Sequence, residues 1–401
     1  MYNIELEQAV EIALKSIDEI KDIEEVPLEN SLGRIIAEDF YAPMDNPPFD
    51  RSPLDGFALM AKDTFEASEE NPIRFKVIDK VYAGTTSDKI IKNFEAIRIM
   101  TGGKIPLGCD CVIRLEDCLE EGNNIFIKKS LKPFDNYCYK GEDIKLGTLL
   151  LTKGTKLSAV HLGVLGSMGQ SKVKVIRKPK IGILVTGDEI MEYSSPLKDG
   201  KIYDTNGIML GSRLKELGFD YFKINREKDD PKSVADSILN NIDNLDILVT
   251  TGGVSVGDKD IFHEVIDLTN AKQLFWKLKF KPGTPAMYSI IKDKPMLSLS
   301  GNPFAALATF ELLARPLISK LSGDYSINTK RTRAKILKEF NKISKNRRFI
   351  RGIYRDGKID LPDGGHSSGM LLSMKDCNAL IDIEEGNMGL KKFQEVEVVL
   401  L

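Results

Sequence analysis

Histidine, cysteine and tryptophan are scarce in this chain of 401 residues, which has 3, 5 and 1 of them respectively. The histidines are scattered, and no Ser–His–Asp or Cys–His arrangement emerges, so nucleophilic catalysis is not expected. Five cysteines do not make a disulfide framework. Cys109 and Cys111 form C-x-C, but the other cysteines lie at no metal-ligand spacing from them. We therefore predict free structural thiols rather than a zinc site.

Long hydrophobic runs and an excess of one charge are also missing. No window approaches the ~18 apolar residues of a membrane-spanning helix, and the acidic, amphipathic N-terminal stretch lacks the pattern of a signal peptide. The 57 basic and 59 acidic side chains nearly cancel, whereas nucleic-acid binders carry a basic excess. We expect a cytoplasmic protein that binds neither membrane nor nucleic acid. P-loop and dinucleotide-binding motifs are absent too.

What is present indicates several domains, since the length exceeds one typical core. Apolar residues from 4 to 20 form a helical stripe, and the proline-rich stretch 41–53 is typical of a crossover between modules. Short β-like runs from about 54 to 135 predict a small β-rich domain. Strands then alternate with helices, which predicts a doubly wound α/β sheet covered on both faces. The last ~75 residues predict a small β-barrel or sandwich.

Three predicted strands of the α/β segment end in unusual polar loops, which read TGDE at 186–189, TTGGVSVGDKD at 250–260 and SGNP at 300–303. Ligands of open α/β sheets bind beyond the carboxyl ends of the strands, and glycine-rich turns there present N–H groups to phosphate. Three such loops on one edge favour a binding site. The alternative is an ordinary turn whose caps are Asp188, Asp260, or Asn302 followed by Pro303.

A basic strand is predicted directly downstream, at Leu274–Lys281. The period of two places Lys277, Lys279 and Lys281 on one face, about 6.6 Å apart. One interpretation is a row of ammonium groups facing an anion held by the neighbouring loops, and the closeness of the TTGG segment favours it. The other is a solvated edge strand whose lysines prevent aggregation.

Further candidates lie outside the α/β segment. Asp55, in SPLDGFAL, and Glu142 with Asp143, in GEDI, sit in turns rich in glycine. Carboxylates in such turns are more often turn-stabilising groups than ligands. Thr101-Gly102-Gly103 follows the β-like run AIRIM and has N–H groups for an anion, although a hairpin turn explains it equally well.

Taken together, these residues resemble the molybdopterin molybdenumtransferase family, which comprises the MoeA proteins and the E domain of gephyrin. The resemblance extends over nearly the whole chain and keeps the order of the motifs. The motifs are SPLDGFAL, MTGGKIPLGCDCVIRLED, GEDIKLG, ILVTGDE, YDTNG, TTGGVSVGDKD, FWKLKFKPGTPA, SGNPFAA and GGHSSGMLLSMKDCNAL.

The resemblance implies an elongated, MoeA-like subunit of multidomain α/β plus β class. Its four expected domains are a discontinuous linker and dimerisation domain (1–25, 40–50 and 136–175), a β-rich inserted domain (26–39 and 51–135), a doubly wound, MogA-like, molybdopterin-binding α/β domain (176–325) and a C-terminal β-barrel (326–401).

The resemblance also implies an activity. Members of the family take adenylylated molybdopterin and molybdate, and insert the metal into the dithiolene with release of AMP in a reaction that requires Mg²⁺. We accordingly expect a homodimer with the active site shared between subunits. The adenylyltransferase of the same pathway is a further expected partner.

Carried over position by position, the implied functional residues fall into three groups. The catalytic group is Asp55, Thr101, Asp143, Glu189, Asp229, Asp260, Lys277 and Lys281. The phosphate-binding and substrate-binding group is Thr250, Thr251, Gly252, Gly253, Ser255, Gly301, Asn302 and Pro303. The implied metal ligands are Asp188, Glu189, Asp229 and Asp260, with Asp230 as the alternative to Asp229.

The chain departs from the family pattern at several positions. Ser300 stands for a proline, Ala305 for a hydroxyl residue and Thr284 for a basic residue, and Cys138-Tyr139-Lys140 stands where arginine is frequent. These changes remove positive or hydroxyl groups from the expected anion site. They bear on affinity and substrate pose more than on the type of reaction.

Two other functions remain open. One is a non-catalytic dimeric scaffold, a role that the E domain of gephyrin also has. The other is a molybdopterin adenylyltransferase, which the α/β segment alone also resembles. Adenylyltransferases carry TTGG followed by Thr-Gly, whereas this chain continues with Val254-Ser255-Val256-Gly257, which favours molybdate insertion. The sequence does not distinguish molybdate from tungstate.

Overall fold

The computed structural model describes residues 1–224, 226–254 and 261–401. The chain divides into two compact units. Unit one comprises Met1–Glu24, Gly33–Ile35 and Val175–Leu401, and unit two comprises Glu25–Leu32 and Ile36–Lys174. None of the described helices is long and apolar enough to cross a membrane. The division into four domains stays a prediction.

The described residues form strands and helices in the following order. The strands are β1 Tyr2–Ile4, β2 Ile23–Pro27, β3 Phe40–Tyr41, β4 Gly56–Leu59, β5 Ile73–Val81, β6 Glu95–Ile99, β7 Cys111–Arg114, β8 Cys118–Glu121, β9 Asn124–Ile127, β10 Leu149–Leu151, β11 Lys172–Ile176, β12 Ile181–Val185, β13 Ile190–Met191, β14 Ile202–Tyr203, β15 Tyr221–Lys223, β16 Ile247–Thr251, β17 Lys272–Leu278, β18 Phe280–Lys281, β19 Met287–Ile291, β20 Lys294–Leu299, β21 Lys330–Ile336, β22 Arg347–Arg355, β23 Lys358–Asp360, β24 Ala379–Ile383 and β25 Glu395–Leu400. The α-helices are α1 Leu6–Lys15, α2 Ala159–Ser167, α3 Asn206–Glu216, α4 Pro231–Asn241, α5 Phe262–Leu268, α6 Pro303–Thr309 and α7 Arg315–Ser322, and a π-helical turn, Phe310–Ala314, joins α6 to α7.

A seven-stranded sheet in the order β1-β17-β19-β20-β16-β12-β15 is the centre of unit one. The strands from β20 to β15 are all parallel to one another. Every residue of β12 and of β16 is buried, as expected for strands covered on both faces. Successive residues of β12 alternate between two hydrophobic clusters, with Ile183 in one and Leu184 in the other. The predicted doubly wound sheet is confirmed.

The predicted N-terminal helix is shorter than its apolar stripe. The stripe begins at Ile4, but Tyr2 and Ile4 pair in parallel with Trp276 and Leu278 of β17, and α1 begins only at Leu6. The first residues therefore complete the edge of the central sheet. Apolar spacing alone does not distinguish such a short strand from the first turn of a helix.

The predicted row of three lysines on one strand is wrong. The register of β17 shifts between Gln273 and Phe275, and Lys277 has a φ of 66°. Since a residue with positive φ leaves the extended conformation, the alternation of side chains is lost. The chain then continues as β18, which pairs in parallel with β22. The three lysines consequently do not share one face of one strand.

A closed five-stranded barrel forms the C-terminal region of unit one. Its strands follow the order β22-β23-β21-β25-β24, and an antiparallel pairing of β22 with β24 closes the ring. A hydrophobic cluster that includes Ile350, Ile381 and Val398 fills it. The predicted C-terminal β-barrel is confirmed.

Unit two contains a six-stranded sheet in the order β7-β4-β6-β5-β9-β8. Its core includes Phe57, Phe75, Cys109 and Cys111. All five cysteines of the chain are free thiols, and burial raises the pKa of the Cys109 thiol to about 12. The buried Cys109 thiol is therefore inert at neutral pH, since the thiolate is the reactive form.

A buried ionic group links α3 to the helix formed by α6, the π-turn and α7. Glu311, in the π-turn, has no exposed surface. Its carboxylate accepts hydrogen bonds from Arg213 Nε, at 2.6 Å, and from Arg315 Nη1, also at 2.6 Å. Both helices begin beside the loops described below, so this contact fixes their relative position.

We expect Glu311→Gln to lower the free energy of unfolding of unit one by about 3–5 kcal/mol. The change leaves the buried Arg315 guanidinium without its carboxylate and removes one of the two carboxylates that pair with Arg213. Urea denaturation followed by fluorescence of Trp276, the single tryptophan of the chain, measures this change. Glu11→Gln is the matched control, since the Glu11–Lys15 pair is exposed and its loss should leave the midpoint unchanged. Equal midpoints for both variants would contradict the assigned role of Glu311.

Candidate functional site

A cavity of about 720 Å³ lies at the carboxyl ends of β12, β16 and β20. The three loops singled out in the sequence meet there. The lining includes Thr186, Gly187 and Glu189 after β12, Gly252 to Val254 after β16, and Ser300 to Pro303 after β20. Because parallel strands end at the same edge of a sheet, these distant loops become neighbours.

Glycine at position 252 is required by the close approach of two loops. Gly252 has a φ of 99°, and a Cβ placed there would lie 2.3 Å from the carbonyl oxygen of Thr186. Its N–H donates to Leu299 O at 3.1 Å, and the N–H of Thr186 donates to Thr251 O at 2.9 Å. Gly253 also has a positive φ, 66°. The backbone of the TTGG segment is therefore packed tightly at the cavity wall.

Asn206, at the start of α3, joins two of the loops. Its Nδ2 donates to Thr251 Oγ1 and to the carbonyl oxygen of Gly301, each at 2.8 Å. Its Oδ1 is buried, as is Thr186 Oγ1, and neither makes a hydrogen bond within the described part of the protein. Since buried polar atoms are nearly always satisfied, both atoms are available to a ligand or to water.

Asp204 positions this helix start. Its Oδ1 accepts from the N–H of Gly207 at 2.8 Å, and the side chain is buried. Asp204 and Asn206 belong to the motif YDTNG, but neither was predicted as a site residue. The signal was nevertheless present in the sequence, because aspartate shortly before a helix is a typical capping residue.

Besides Asp204, two further carboxylates line the cavity. Glu189 and Asp229 both line it. Asp188 does not line it, and its Oδ1 accepts from the N–H of Asp229 at 3.3 Å. Asp230 caps α4, because its Oδ2 accepts from the N–H of Ser233 at 2.8 Å. The geometry therefore gives the two adjacent acids different roles and favours Asp229 as the ligand-facing one.

The described residues include no cluster of three or more His, Cys, Asp or Glu side chains able to hold a metal ion. Mg²⁺ is commonly bound by only one or two carboxylates together with substrate phosphates and water. Glu189 and Asp229, on the wall of one cavity, fit that mode of binding. Asp260 and Ser255 lie outside the described residues.

The predicted cationic residues lie elsewhere. Lys277 Nζ donates to Tyr2 Oη at 2.9 Å and lies 4.3 Å from the centre of the Trp276 ring. Lys279 forms an ion pair with Glu5 at 3.1 Å. Lys281 is exposed in β18. None of the three lines the cavity in the part of the chain that the structure describes, and Thr250 is buried within β16.

The remaining predicted residues belong to unit two. Asp55 Oδ1 accepts from the backbone N–H of Thr101, at 2.7 Å, and from its hydroxyl, at 2.8 Å. The N–H bond first, and then the hydroxyl, hold the pKa of Asp55 below its ordinary value. Asp143 is exposed, and its Oδ2 accepts from Asn46 Nδ2 at 3.1 Å. The ionised carboxylate of Asp55 is thus held to Thr101 by two hydrogen bonds.

A loop of the C-terminal barrel supplies a wall of the cavity that was not predicted from the sequence. Gly369 and Leu371 line the cavity, and the carbonyl oxygen of Ser368 accepts from the N–H of Phe304 at 3.0 Å. Arg351, which is 1% exposed, donates to the carbonyl oxygens of Ser367 and Met370 at 2.6 Å each. The only sequence signal for this wall is the motif GGHSSGMLLSM, to which no role was assigned.

Three of the positions that depart from the family pattern, Ser300, Ala305 and Thr284, are either buried or hydrogen-bonded to neighbouring residues. Ser300 lines the cavity, and its Oγ accepts from the N–H of Asn302 at 3.3 Å. Ala305 is buried in α6. Thr284 donates its hydroxyl to Phe280 O at 2.6 Å. Hence neither Ala305 nor Thr284 presents a polar group to the cavity.

Family models match three consecutive parts of the chain. The MoeA N-terminal region (domain I and II) matches residues 4–169. A model described as a probable molybdopterin binding domain matches residues 182–320, which include the cavity loops. The MoeA C-terminal region (domain IV) matches residues 333–401.

Individual proteins resemble the chain over nearly its full length. A Staphylococcus epidermidis protein named molybdopterin molybdenumtransferase is 36% identical over 400 residues, which cover 99% of this chain and 95% of the relative. A protein of the same name from Staphylococcus aureus is 35% identical and covers 94% and 90%. The crystal structure of a molybdopterin biosynthesis MoeA protein from Pyrococcus horikoshii has a TM-score of 0.86, with 34% identity and 99% coverage of each chain.

The doubly wound sheet with its loop-lined cavity, the β-rich sheet and the terminal barrel define a multidomain protein built around a molybdopterin-binding type of α/β domain. The chain belongs to the MoeA family of molybdopterin molybdenumtransferases. The family and the enzyme class expected from the sequence are therefore confirmed.

We expect Gly252→Ala to lower the free energy of unfolding of unit one by about 1–3 kcal/mol, because alanine is strained at this positive φ and its methyl group meets Thr186 O. Gly301→Ala is the control, since its nearest neighbour is Gly252 Cα at 3.5 Å and the variant should be as stable as the unchanged protein. Urea denaturation followed by Trp276 fluorescence compares them. A Gly252→Ala variant as stable as Gly301→Ala would refute the required close approach.

Proposed function

We propose that this chain inserts molybdate into adenylylated molybdopterin, with release of AMP and in the presence of Mg²⁺. The observation that carries the proposal is the convergence of glycine-rich backbone and two carboxylates on one cavity of about 720 Å³. Membership of the MoeA family supports it, as does the match of a molybdopterin-binding model to residues 182–320. Molybdate is a substrate in this scheme.

The N–H groups of Gly253 and Gly301 are the backbone groups of these loops that would hold phosphate oxygens, since those of Gly252 and Asn302 already donate to Leu299 O and Ser300 Oγ. Glycine allows the backbone itself to approach a phosphate, without an intervening side chain. Asn206 fixes the spacing of these two loops through its bonds to Thr251 and Gly301. Its buried Oδ1, together with Thr186 Oγ1, would bind a polar edge of the substrate.

Glu189 and Asp229 are the described side chains that would hold Mg²⁺, which supplies positive charge that offsets the repulsion between these carboxylates and phosphate. Asp188 positions Asp229 through the N–H of the latter. Gly369 and Leu371 would limit the access of water from the barrel side of the cavity. Participation of Asp260 and Ser255, of Lys277 and Lys281, and of Asp55, Thr101 and Asp143 stays a prediction from the family resemblance.

We expect the purified protein to release AMP from adenylylated molybdopterin only when molybdate and Mg²⁺ are both present. Asp229→Asn should slow this release on the order of 10²-fold, because one electrostatic group at the reacting phosphate is lost. Chromatographic quantification of AMP over time measures both effects.

Asp230→Asn is the matched control for this variant. Asparagine also caps a helix, so turnover and stability should both be unchanged. Equal turnover of the two variants would remove Asp229 from the site. Consumption of ATP with free molybdopterin and no molybdate would instead indicate an adenylyltransferase.

We further propose a homodimer whose active site combines residues of two subunits. The proposal rests on the family resemblance and on the location of Asp55 with Thr101 in unit two, whereas Asp229 lies in unit one. If both groups serve one site, Asp55→Ala and Asp229→Asn subunits, each strongly impaired on its own, should recover part of the AMP release when they are mixed and allowed to exchange. Mixed dimers without activity would contradict a shared site.

A further inference from the structure

Unit two contains three mutually packed aromatic rings on loops that adjoin Thr101 and Asp143. Phe134, Tyr137 and Tyr139, here called the aromatic triad, have ring centres 5.1–5.4 Å apart in all three pairs. Phe134 is 51% exposed and Tyr139 46% exposed, while Tyr137 packs against the core of the unit. The rings of Phe134 and Tyr139 are therefore exposed to solvent, and both pack against the ring of Tyr137, which the core of the unit holds in place.

Hydrogen bonds hold the triad in place. Tyr137 Oη donates to Asp50 Oδ2 at 2.8 Å, and the N–H of Lys140 donates to Asp50 Oδ1 at 2.7 Å. The N–H of Phe134 donates to Asp110 O at 2.6 Å, and Phe134 has a φ of 71°. A phenylalanine in this conformation costs roughly 1–2 kcal/mol, so the surrounding bonds keep its ring exposed. Such preorganised rings lose little conformational entropy when a ligand binds.

The triad adjoins the segments of Thr101 and Asp143. Arg51 forms β-bridges to both Lys104 and Cys138. The turn Thr101-Gly102-Gly103, which precedes Lys104, therefore lies on one side of Arg51, and the triad segment lies on the other. Tyr139 and Glu142 exchange two hydrogen bonds, of 2.9 and 3.1 Å, across the turn before Asp143. The rings thus belong to the same group of loops as the residues that the family resemblance singles out.

Three cationic side chains lie on the same loops as the rings, together with the carboxylates of Asp50 and Glu142 that accept hydrogen bonds from Tyr137 and Tyr139. Arg51 and Lys104 are exposed, and neither forms an ion pair with any described acidic residue. Lys140 is 56% exposed and lies 3.4 Å from Asp45. Exposed aromatic rings with cationic side chains on adjoining loops suit ligands that combine a heterocycle with phosphate.

We propose that the aromatic triad is a stacking surface for the heterocycle of a phosphorylated substrate, and this rests on the proposed function. The pterin of molybdopterin and the adenine of its adenylyl group share the required chemistry, a flat amino-substituted ring system attached to phosphate. Stacking is tolerant of the ring that binds, because each heterocycle has a π-face. The triad also includes Tyr139 of Cys138-Tyr139-Lys140, the segment that stands where the family resemblance leads us to expect arginine.

The test compares Tyr139→Leu and Phe134→Leu with the unchanged full-length protein. Leucine keeps an apolar side chain but has no π-face. Isothermal titration with AMP and with molybdopterin, at one salt concentration, measures the two affinities. We expect an affinity about 10-fold weaker for the ligand whose ring stacks, AMP if it is adenine and molybdopterin if it is the pterin. Ribose 5-phosphate, which has no ring system to stack, should bind equally to all three proteins.

Phe65→Leu is the matched control, since Phe65 is 79% exposed in the same unit and lies outside the triad. It should bind AMP and molybdopterin as the unchanged protein does. Should Phe134→Leu fail to fold, Tyr139→Leu still decides the question. Unchanged affinity of Tyr139→Leu for both ligands would overturn the proposal. So would a change only in the oligomeric state, measured by analytical ultracentrifugation, because the triad would then be a contact between copies. An unchanged protein that binds neither ligand would refute the proposed function instead.

Discussion

Parallel pairing of β12, β16 and β20 is the constraint on which the candidate site depends. It brings three loops, which lie between residues 186 and 303, to one edge, where backbone approaches backbone closely enough to exclude a Cβ at Gly252. Asn206 then fixes the distance between two of those loops. The shape of the cavity is therefore set mainly by main-chain geometry, and side chains supply its charge and its outer wall.

The distribution of charge follows from this arrangement. The described walls carry the carboxylates of Glu189, Asp204 and Asp229 and no lysine or arginine side chain. Lys277 lies over aromatic rings, and Arg351 is enclosed by carbonyl oxygens and the Phe304 ring. Peptide N–H and hydroxyl groups are what the described lining offers to an anion, and under the proposed function an added cation would offset the repulsion between phosphate and carboxylate. Such a cation would allow phosphate and carboxylate groups to lie at the same glycine-rich edge of the sheet.

The sequence was informative wherever a local pattern determines structure. Buried apolar strands, alternating helices and polar strand ends predicted the α/β sheet, the edge at which the cavity lies and the terminal barrel. Prediction from the sequence failed where contacts with a distant segment determine the local structure. The pairing of Tyr2 and Ile4 with β17 and the positive φ of Lys277 depend on tertiary contacts, so the period-two rule misplaced the lysines. The loop at Gly369 was missed because only the folded barrel brings it to α6. Asp204 and Asn206 were missed although their capping pattern was readable.

The edge strand β1 has a consequence for how the protein acquires its structure during synthesis. Tyr2 precedes Trp276, the residue with which it pairs, by most of the described chain. At translation rates of about 5–20 residues per second, roughly 14–55 s separate the two. During that interval unit two, which ends at Lys174, is fully synthesised, whereas the N-terminal strand has no partner. The order of emergence therefore lets unit two fold before the sheet that carries the cavity, and β1 joins the edge of that sheet late.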